Sequence, residues 1–327
     1  MEFICNPHTH PHYNMAFDEA LLAHPPCEEP LFCLWRNRPS VIIGLNQSAY
    51  AEVNLPYLEE NGITLARRVT GGGAVYHDLG NLNYSIAGRA RDLDEAACLQ
   101  WVVETLRSLG VPAERTGRND ILVAGRKCSG YAKRMEKDRI LIHGTLMFNV
   151  DLAQLTEALA VPGSKLSAAG IASVRSRVAN LKEYLPQFSS ADAFRQALQE
   201  RLAGSDGEIV PSEPWLQAVQ KMADEKFSTW EWNFGHSPSA EFQMRRKFPC
   251  GTVEARFSLK HGCLDGVSFG GDFLGNKPAG ELAERLQDIP YRLPEVEAAL
   301  ADAGEYFDGL SARELAPFIL GNNSLNL

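Results

Sequence analysis

The run Arg67-Arg68-Val69-Thr70-Gly71-Gly72-Gly73-Ala74-Val75-Tyr76-His77-Asp78 places two guanidinium side chains ahead of three consecutive glycines. Three glycines permit positive φ angles and let a ligand approach the backbone with no side chain between. Peptide N–H groups turned inward on such a loop hold an anion, and arginine offers a fixed fork of donors to carboxylate or phosphate. The chemistry these types permit is capture of an anionic small molecule. No Gly-Lys-Ser/Thr follows, so the run is not a P-loop. A dinucleotide fingerprint begun at Gly71 would need a glycine where Tyr76 stands. Taken alone, a tight glycine-rich hairpin turn reads the same way.

Two further segments weigh against that plain turn. Gly117-Arg118-Asn119-Asp120 leads through Ile121-Leu122-Val123 to Gly125-Arg126-Lys127-Cys128-Ser129-Gly130-Tyr131-Ala132, and His143-Gly144-Thr145-Leu146 follows. Together the three segments resemble the lipoate–protein ligase family, within the wider group of biotin ligases and octanoyltransferases. The likeness extends through Lys165 and Ser173–Leu181, resumes at Trp230–Gly235 and Gly270–Phe273, and so covers nearly the whole chain.

The resemblance implies ATP-dependent activation of lipoate to an acyl-adenylate, with release of pyrophosphate. Transfer to a lysine ε-amine follows, on the lipoyl domains of 2-oxoacid dehydrogenase acyltransferases or on the glycine cleavage H protein. It makes Lys127 the catalytic bridge between acyl carbonyl and α-phosphate. ATP falls to Arg68, Gly73, Ala74, Val75, Tyr76 and Lys127. Lipoate falls to Arg68, Gly71, Gly72, His77, Lys127, His143, Gly144 and Thr145. The residue types suit the reaction, since positioned cations and backbone donors stabilise charge gathering on phosphoryl oxygens.

Asn119 and Asp120 offer oxygen ligands of the kind Mg²⁺ takes beside phosphate oxygens, although Asn-Asp is also a common β-turn pair. His77 and Asp78 would bind substrate, exchange a proton or brace the loop. His143-Gly144-Thr145 either lines the acyl pocket or supports the sheet. Trp35 and Tyr84 are candidates for the acyl tunnel. Family members often carry two histidines before Gly-Thr; Ile142-His143 departs from that pattern.

An octanoyltransferase would work without ATP through a cysteine thioester, yet no cysteine lies between Cys128 and Cys250. A biotin ligase would carry Gly-Arg-Gly-Arg where Gly117-Arg118-Asn119-Asp120 stands. Against a non-catalytic lipoate-binding protein, retention of Lys127 with all three glycine-loop residues supports catalysis.

Around these motifs lies an ordinary globular composition: 327 residues, 45% hydrophobic and 22% charged. The formal charge of −9 argues against nucleic-acid binding. Arg67, Arg68, Arg115, Arg118, Arg126 and Lys127 nevertheless cluster around the motifs, which predicts a positive pocket in an acidic molecule. No apolar run approaches a membrane span, and no signal peptide pattern opens the chain. Seven scattered cysteines fit a reducing cytoplasm.

The elements that must position these residues form an α+β fold: a large mixed-sheet catalytic domain over residues 1–238 and a small α+β C-terminal domain over 239–327. Strands are expected at 31–36, 40–45, 63–68, 82–87, 121–124 and 141–148. Helices are expected at 14–23, 54–61, 94–109, 151–160, 190–202 and 215–223, with Asp94 an N-cap. The Lys127 segment reads as a loop able to fold over a ligand, and 165–180 as a mobile loop. Alternation from Val253 to Leu259 predicts a half-buried strand, the first of a C-terminal hairpin.

Overall fold

Asn81-Leu82-Asn83-Tyr84-Ser85-Ile86 alternates polar and apolar side chains, and all six are buried in the computed structural model. The structure describes residues 1–116, 120–159, 177–202, 208–237 and 240–321. Its strands in the first unit are β1 (Glu2–Cys5), β2 (Leu31–Trp35), β3 (Ser40–Ile43), β4 (Thr64–Arg67), β5 (Val75–His77), β6 (Asn81–Arg89), β7 (Ala113–Thr116), β8 (Asp120–Val123), β9 (Arg126–Glu136), β10 (Arg139–Met147) and β11 (Glu208–Ile209). They make an eight-stranded mixed sheet in the order β11-β1-β2-β6-β10-β9-β8-β7 and a small sheet β4-β3-β5. Both parallel and antiparallel pairings occur in each.

Period-two geometry sends successive side chains to opposite faces. Leu82, Tyr84 and Ile86 of β6, with Ile140, Ile142 and Leu146 of β10, enter one apolar core. The helix Glu95–Ser108 closes it with Cys98, Leu99, Val102, Val103 and Leu106, and the helix Ala191–Leu202 adds Phe194, Ala197 and Leu198. Asp94 caps the first of these helices, its carboxylate accepting from the Ala97 amide at 2.8 Å. The opposite face of β6 carries Asn81, Asn83 and Ser85, which register against Met147, Thr145 and His143 of β10.

The helix Pro11–Ala23 begins on a proline and is buried on nearly every side, including Asn14 and Asp18. A helix buried all round is expected to be apolar. These two polar residues, one turn apart on the same face, therefore need partners, and they find them among the site residues described below.

The second compact unit contains residues 46–63 as well as the described part of the chain from Thr229 onward. It thus starts earlier than residue 238 and draws in a segment far upstream. Tyr50 explains this, with its ring 5.6 Å from Phe234 and edge-on to Tyr291 at 5.0 Å. Its sheet is the meander β12 (Ala240–Phe248), β13 (Gly251–Lys260), β14 (Cys263–Gly271), so the C-terminal hairpin gains a strand. Val253, Ala255, Phe257 and Leu259 are its buried row.

Candidate active site

A cavity of about 140 Å³ opens in the first unit beneath the glycine run. Its walls include Arg68, Gly72, Gly73, Ala74, Val75, His77, Lys127, His143, Gly144 and Thr145, so the three sequence motifs meet in space. Met15, Trp35, Ile42 and Tyr131 supply an apolar lining. Trp35 is one of these wall residues. Tyr84 instead lies on the core face of β6.

Lys127 does not sit on a flexible loop. Ala124 and Gly125 both take positive φ (49° and 74°) between the paired residues Val123 and Arg126. Two consecutive positive φ angles make a tight hairpin turn of the primed kind, which fixes Lys127 at the start of β9. The Lys127 carbonyl accepts from the Ala179 amide at 2.9 Å. Its ammonium lies 2.8 Å from the Asp120 carboxylate, and both side chains are partly exposed.

Arg68 departs most from expectation. It makes five hydrogen bonds within the loop and its base: Nε to Thr70 Oγ1 and the Gly71 carbonyl, Nη1 to the Ile42 carbonyl, and Nη2 to the Gly71 and Gly73 carbonyls. Burial brings its pKa down to about 10, which leaves it charged at neutral pH. The guanidinium is a brace for the glycine loop rather than an open fork for an anion. Gly72 takes φ of +97°, a conformation side chains resist.

The wider cationic cluster disperses as well. Arg67 is fully buried with Nη1 on the Gly44 and Leu45 carbonyls, and Arg126 pairs with Glu183 at 2.5 Å. Of the described arginines and lysines, Arg68 and Lys127 line the cavity.

His143 is held at both ring nitrogens. Nδ1 is 2.7 Å from Asp18 Oδ2, and Nε2 is 2.7 Å from Thr70 Oγ1. The Asp18 carboxylate only accepts, so His143 donates to it through Nδ1; in that neutral tautomer Nε2 accepts the Thr70 hydroxyl proton, while Thr70 Oγ1 also accepts from Arg68 Nε. The other Asp18 oxygen accepts from Ser85 Oγ at 2.5 Å, which accepts from Trp35 Nε1 at 2.8 Å. One continuous set of bonds thus joins the glycine loop to Trp35 in the cavity wall. Gly144 has a different reason to be glycine than ligand approach: an added Cβ would lie 2.4 Å from the Tyr84 hydroxyl.

His77 accepts at Nδ1 from Asn37 Nδ2, 3.1 Å away. Burial, then the charge of Arg68, then His143 drive its pKa down to about 3, so it is neutral near pH 7. Tyr76 is not among the cavity's wall residues and gives its hydroxyl to Gln154 at 2.8 Å. Asp78 accepts from the Gly80 and Asp151 amides and so braces the turn after β5. Ile142 points into the core, away from the cavity, so a histidine at that position would face the core too.

Asn119 and the stretch 165–176 lie outside the described residues. Among those described, no cluster of three His, Cys, Asp or Glu could hold a metal. Cys128 is fully buried beside Lys127, donates to the Ile121 carbonyl, and burial raises its pKa to about 12. A thiol so protonated is no nucleophile. Among the described residues no helix is long and apolar enough to cross a membrane. Asn14, Asp18, Asn37, Asn83 and Ser85 were missed by sequence reasoning; for all but Asn37, which lies in the polar link between β2 and β3, the signal was polarity within a buried element.

Residues 10–203 match the lipoyl protein ligase A/B catalytic domain, and residues 237–319 match the bacterial lipoate protein ligase C-terminus. Lipoate–protein ligase 1 of Staphylococcus aureus is 38% identical over 96% of this chain and 98% of its own length. Among solved structures, the bipartite lipoate protein ligase of Thermoplasma acidophilum, studied with its E2 lipoyl domain, is 35% identical with a TM-score of 0.63. It covers 73% of this chain and 98% of that one. A lipoate–protein ligase A bound with ATP is 33% identical with a TM-score of 0.61, covering 72% of this chain and 100% of that one.

Proposed function

From the premise that this chain belongs to the lipoyl protein ligase A/B family, we propose how its cavity carries out ATP-dependent lipoate ligation. The observation that carries the reading is the meeting of Lys127 with the glycine loop and His143-Gly144-Thr145 around one cavity.

A lipoate carboxylate oxygen attacks the α-phosphorus of ATP, an O–P bond forms, and pyrophosphate leaves. Lys127 stands where one ammonium stabilises the charge that gathers on the phosphoryl oxygens. The Gly73 to Val75 backbone adds N–H donors, on a loop whose shape Arg68 maintains. The neutral acceptor lysine amine then attacks the acyl carbonyl, a C–N bond forms as the C–O bond to AMP breaks, and the amine's proton passes to the departing phosphate or to solvent, with Lys127 polarising the carbonyl. His143, bound at both nitrogens, positions the loop and the wall and does not exchange the proton.

Asp120 fits a part in holding Mg²⁺. Its carboxylate is partly exposed beside Lys127, and this ion commonly takes one or two carboxylates and completes its shell with phosphate oxygens and water. Bound there, Mg²⁺ would neutralise phosphate charge. The acceptors that suit this chemistry are lipoyl domains and the H protein of glycine cleavage, each presenting one exposed lysine.

Lipoate-dependent exchange of radiolabelled pyrophosphate into ATP is the test, followed by mass spectrometry of a lipoyl domain. Exchange and a lipoyl mass increment are expected. Transfer from octanoyl carrier protein without ATP, and no exchange, would overturn the reading.

A further inference from the structure

His77 and Asn83 both line the cavity, are 3% and 1% exposed, and each keeps a buried side-chain nitrogen with no partner among the described residues: His77 Nε2 and Asn83 Nδ2. A buried polar group left unpaired is costly, so two at one cavity call for a ligand.

The proton on His77 Nε2 follows from a chain of amides. Asn14 Nδ2 faces the carbonyls of His8 and Arg36, which only a donor can do. The same nitrogen therefore meets Asn37 through that residue's oxygen, 2.7 Å away. Asn37 must then present Nδ2 to His77 Nδ1, which accepts and leaves the proton on Nε2. Asn83 gives its oxygen to Asn81 Nδ2 at 2.9 Å and keeps its own amide hydrogens free. Both free groups are donors.

Their place in the sheet says which end of a substrate they meet. Trp35 pairs with Asn83 across β2 and β6, Asn83 pairs with Thr145 across β6 and β10, and β9 lies beyond. The Trp35 and His77 rings are 6.2 Å apart. Two strand spacings, about 10 Å, separate β6 from β9. An acid whose carboxylate sits near Lys127 on β9 thus directs its far end toward His77 and Asn83.

We propose that His77 Nε2–H and the Asn83 amide N–H receive the ring sulfurs of a dithiolane at the far end of the cavity, and so favour lipoate over an unsubstituted fatty acid. Sulfur in a thioether-like setting is a weak acceptor, enough to satisfy a donor that a methylene would leave unpaired. The inference rests on the reading of Lys127 as the carboxylate end.

Calorimetry with the wild-type protein, without nucleotide, compares lipoate with 5-cyclopentylpentanoic acid, whose ring has methylenes in place of both sulfurs. Lipoate should bind roughly tenfold tighter, the scale of one unpaired buried donor. In His77→Phe and in Asn83→Leu the ratio should fall toward one as the carbocyclic acid gains affinity. Because the primary comparison uses unaltered protein, a variant that fails to fold does not decide it. Equal affinities in the wild type would overturn the proposal and leave the activation reading standing. Binding of neither acid would overturn both.

Discussion

His143 and Asp18, 125 residues apart in the chain, stand 2.7 Å apart in the fold, imidazole Nδ1 to carboxylate oxygen. The carboxylate accepts from His143 on one oxygen and from Ser85 on the other. An asparagine at this position presents an oxygen to only one of these donors and an N–H to the second. Asp18→Asn should therefore lower stability by about 1–3 kcal/mol, the cost of an unsatisfied buried group. Urea denaturation measures it, and an unmoved midpoint would mean that the fold does not depend on both Asp18 oxygens accepting.

Lys127→Ala should lower kcat for lipoate-dependent pyrophosphate exchange by roughly a hundred- to a thousandfold, as expected when one donor to developing charge is removed. KM for lipoate should move far less. Cys128→Ser is the matched control, because a hydroxyl can keep the bond to the Ile121 carbonyl. Near-normal exchange in the lysine variant, or its loss in the serine variant, would contradict the assignment.

Arg68→Lys should act on the loop before it acts on any anion. A lysine has three donors on a point charge and cannot reproduce five bonds spread over Thr70, Gly71, Gly73 and Ile42. We expect a stability loss of at least about 2 kcal/mol, with binding of acid and nucleotide weakened together. A variant of wild-type stability that lost nucleotide affinity alone would return Arg68 to the role of an anion fork.

The difference between Lys127 and Arg68 shows what local sequence can and cannot convey. Lys127 was singled out through the family resemblance of its segment, and the fold brings it to the cavity with the other two motifs, although its hairpin was read as a loop since Ala124 carries no turn signal. The bracing of Arg68 was not legible because nothing adjacent reveals that the Ile42 carbonyl and the loop's own carbonyls would surround it. Strands and helices were found where periodicity was strong, as at Glu95–Ser108. The buried polar face of β6 was overlooked although Asn81, Asn83 and Ser85 alternate plainly; the groups that Ser85 meets, His143 across the strand pair and the Asp18 carboxylate, come from distant segments. Asn14 and Asp18 were likewise visible one turn apart, but only the fold shows that each leads to one histidine.

That arrangement has a consequence for acid stability. The folded-state pKa of His77 is lowered from 6.5 to about 3, first by burial and then by Arg68 and His143. As pH falls below 6.5 the unfolded chain takes up a proton here that the folded chain refuses until near pH 3. His77 therefore contributes stability that is present above pH 6.5 and is lost as pH falls toward 3, by up to about 1.4 kcal/mol per pH unit. His10 and His12, also lowered by burial, act with the same sign, whereas the raised Asp78 acts oppositely. Only the comparison with His77→Gln isolates the one group, since glutamine retains an acceptor for Asn37. From pH 7 to pH 5 the wild type should lose about 2 kcal/mol more than the variant in urea unfolding. Parallel stability curves for the two proteins would mean that His77 titrates as it does in the unfolded chain.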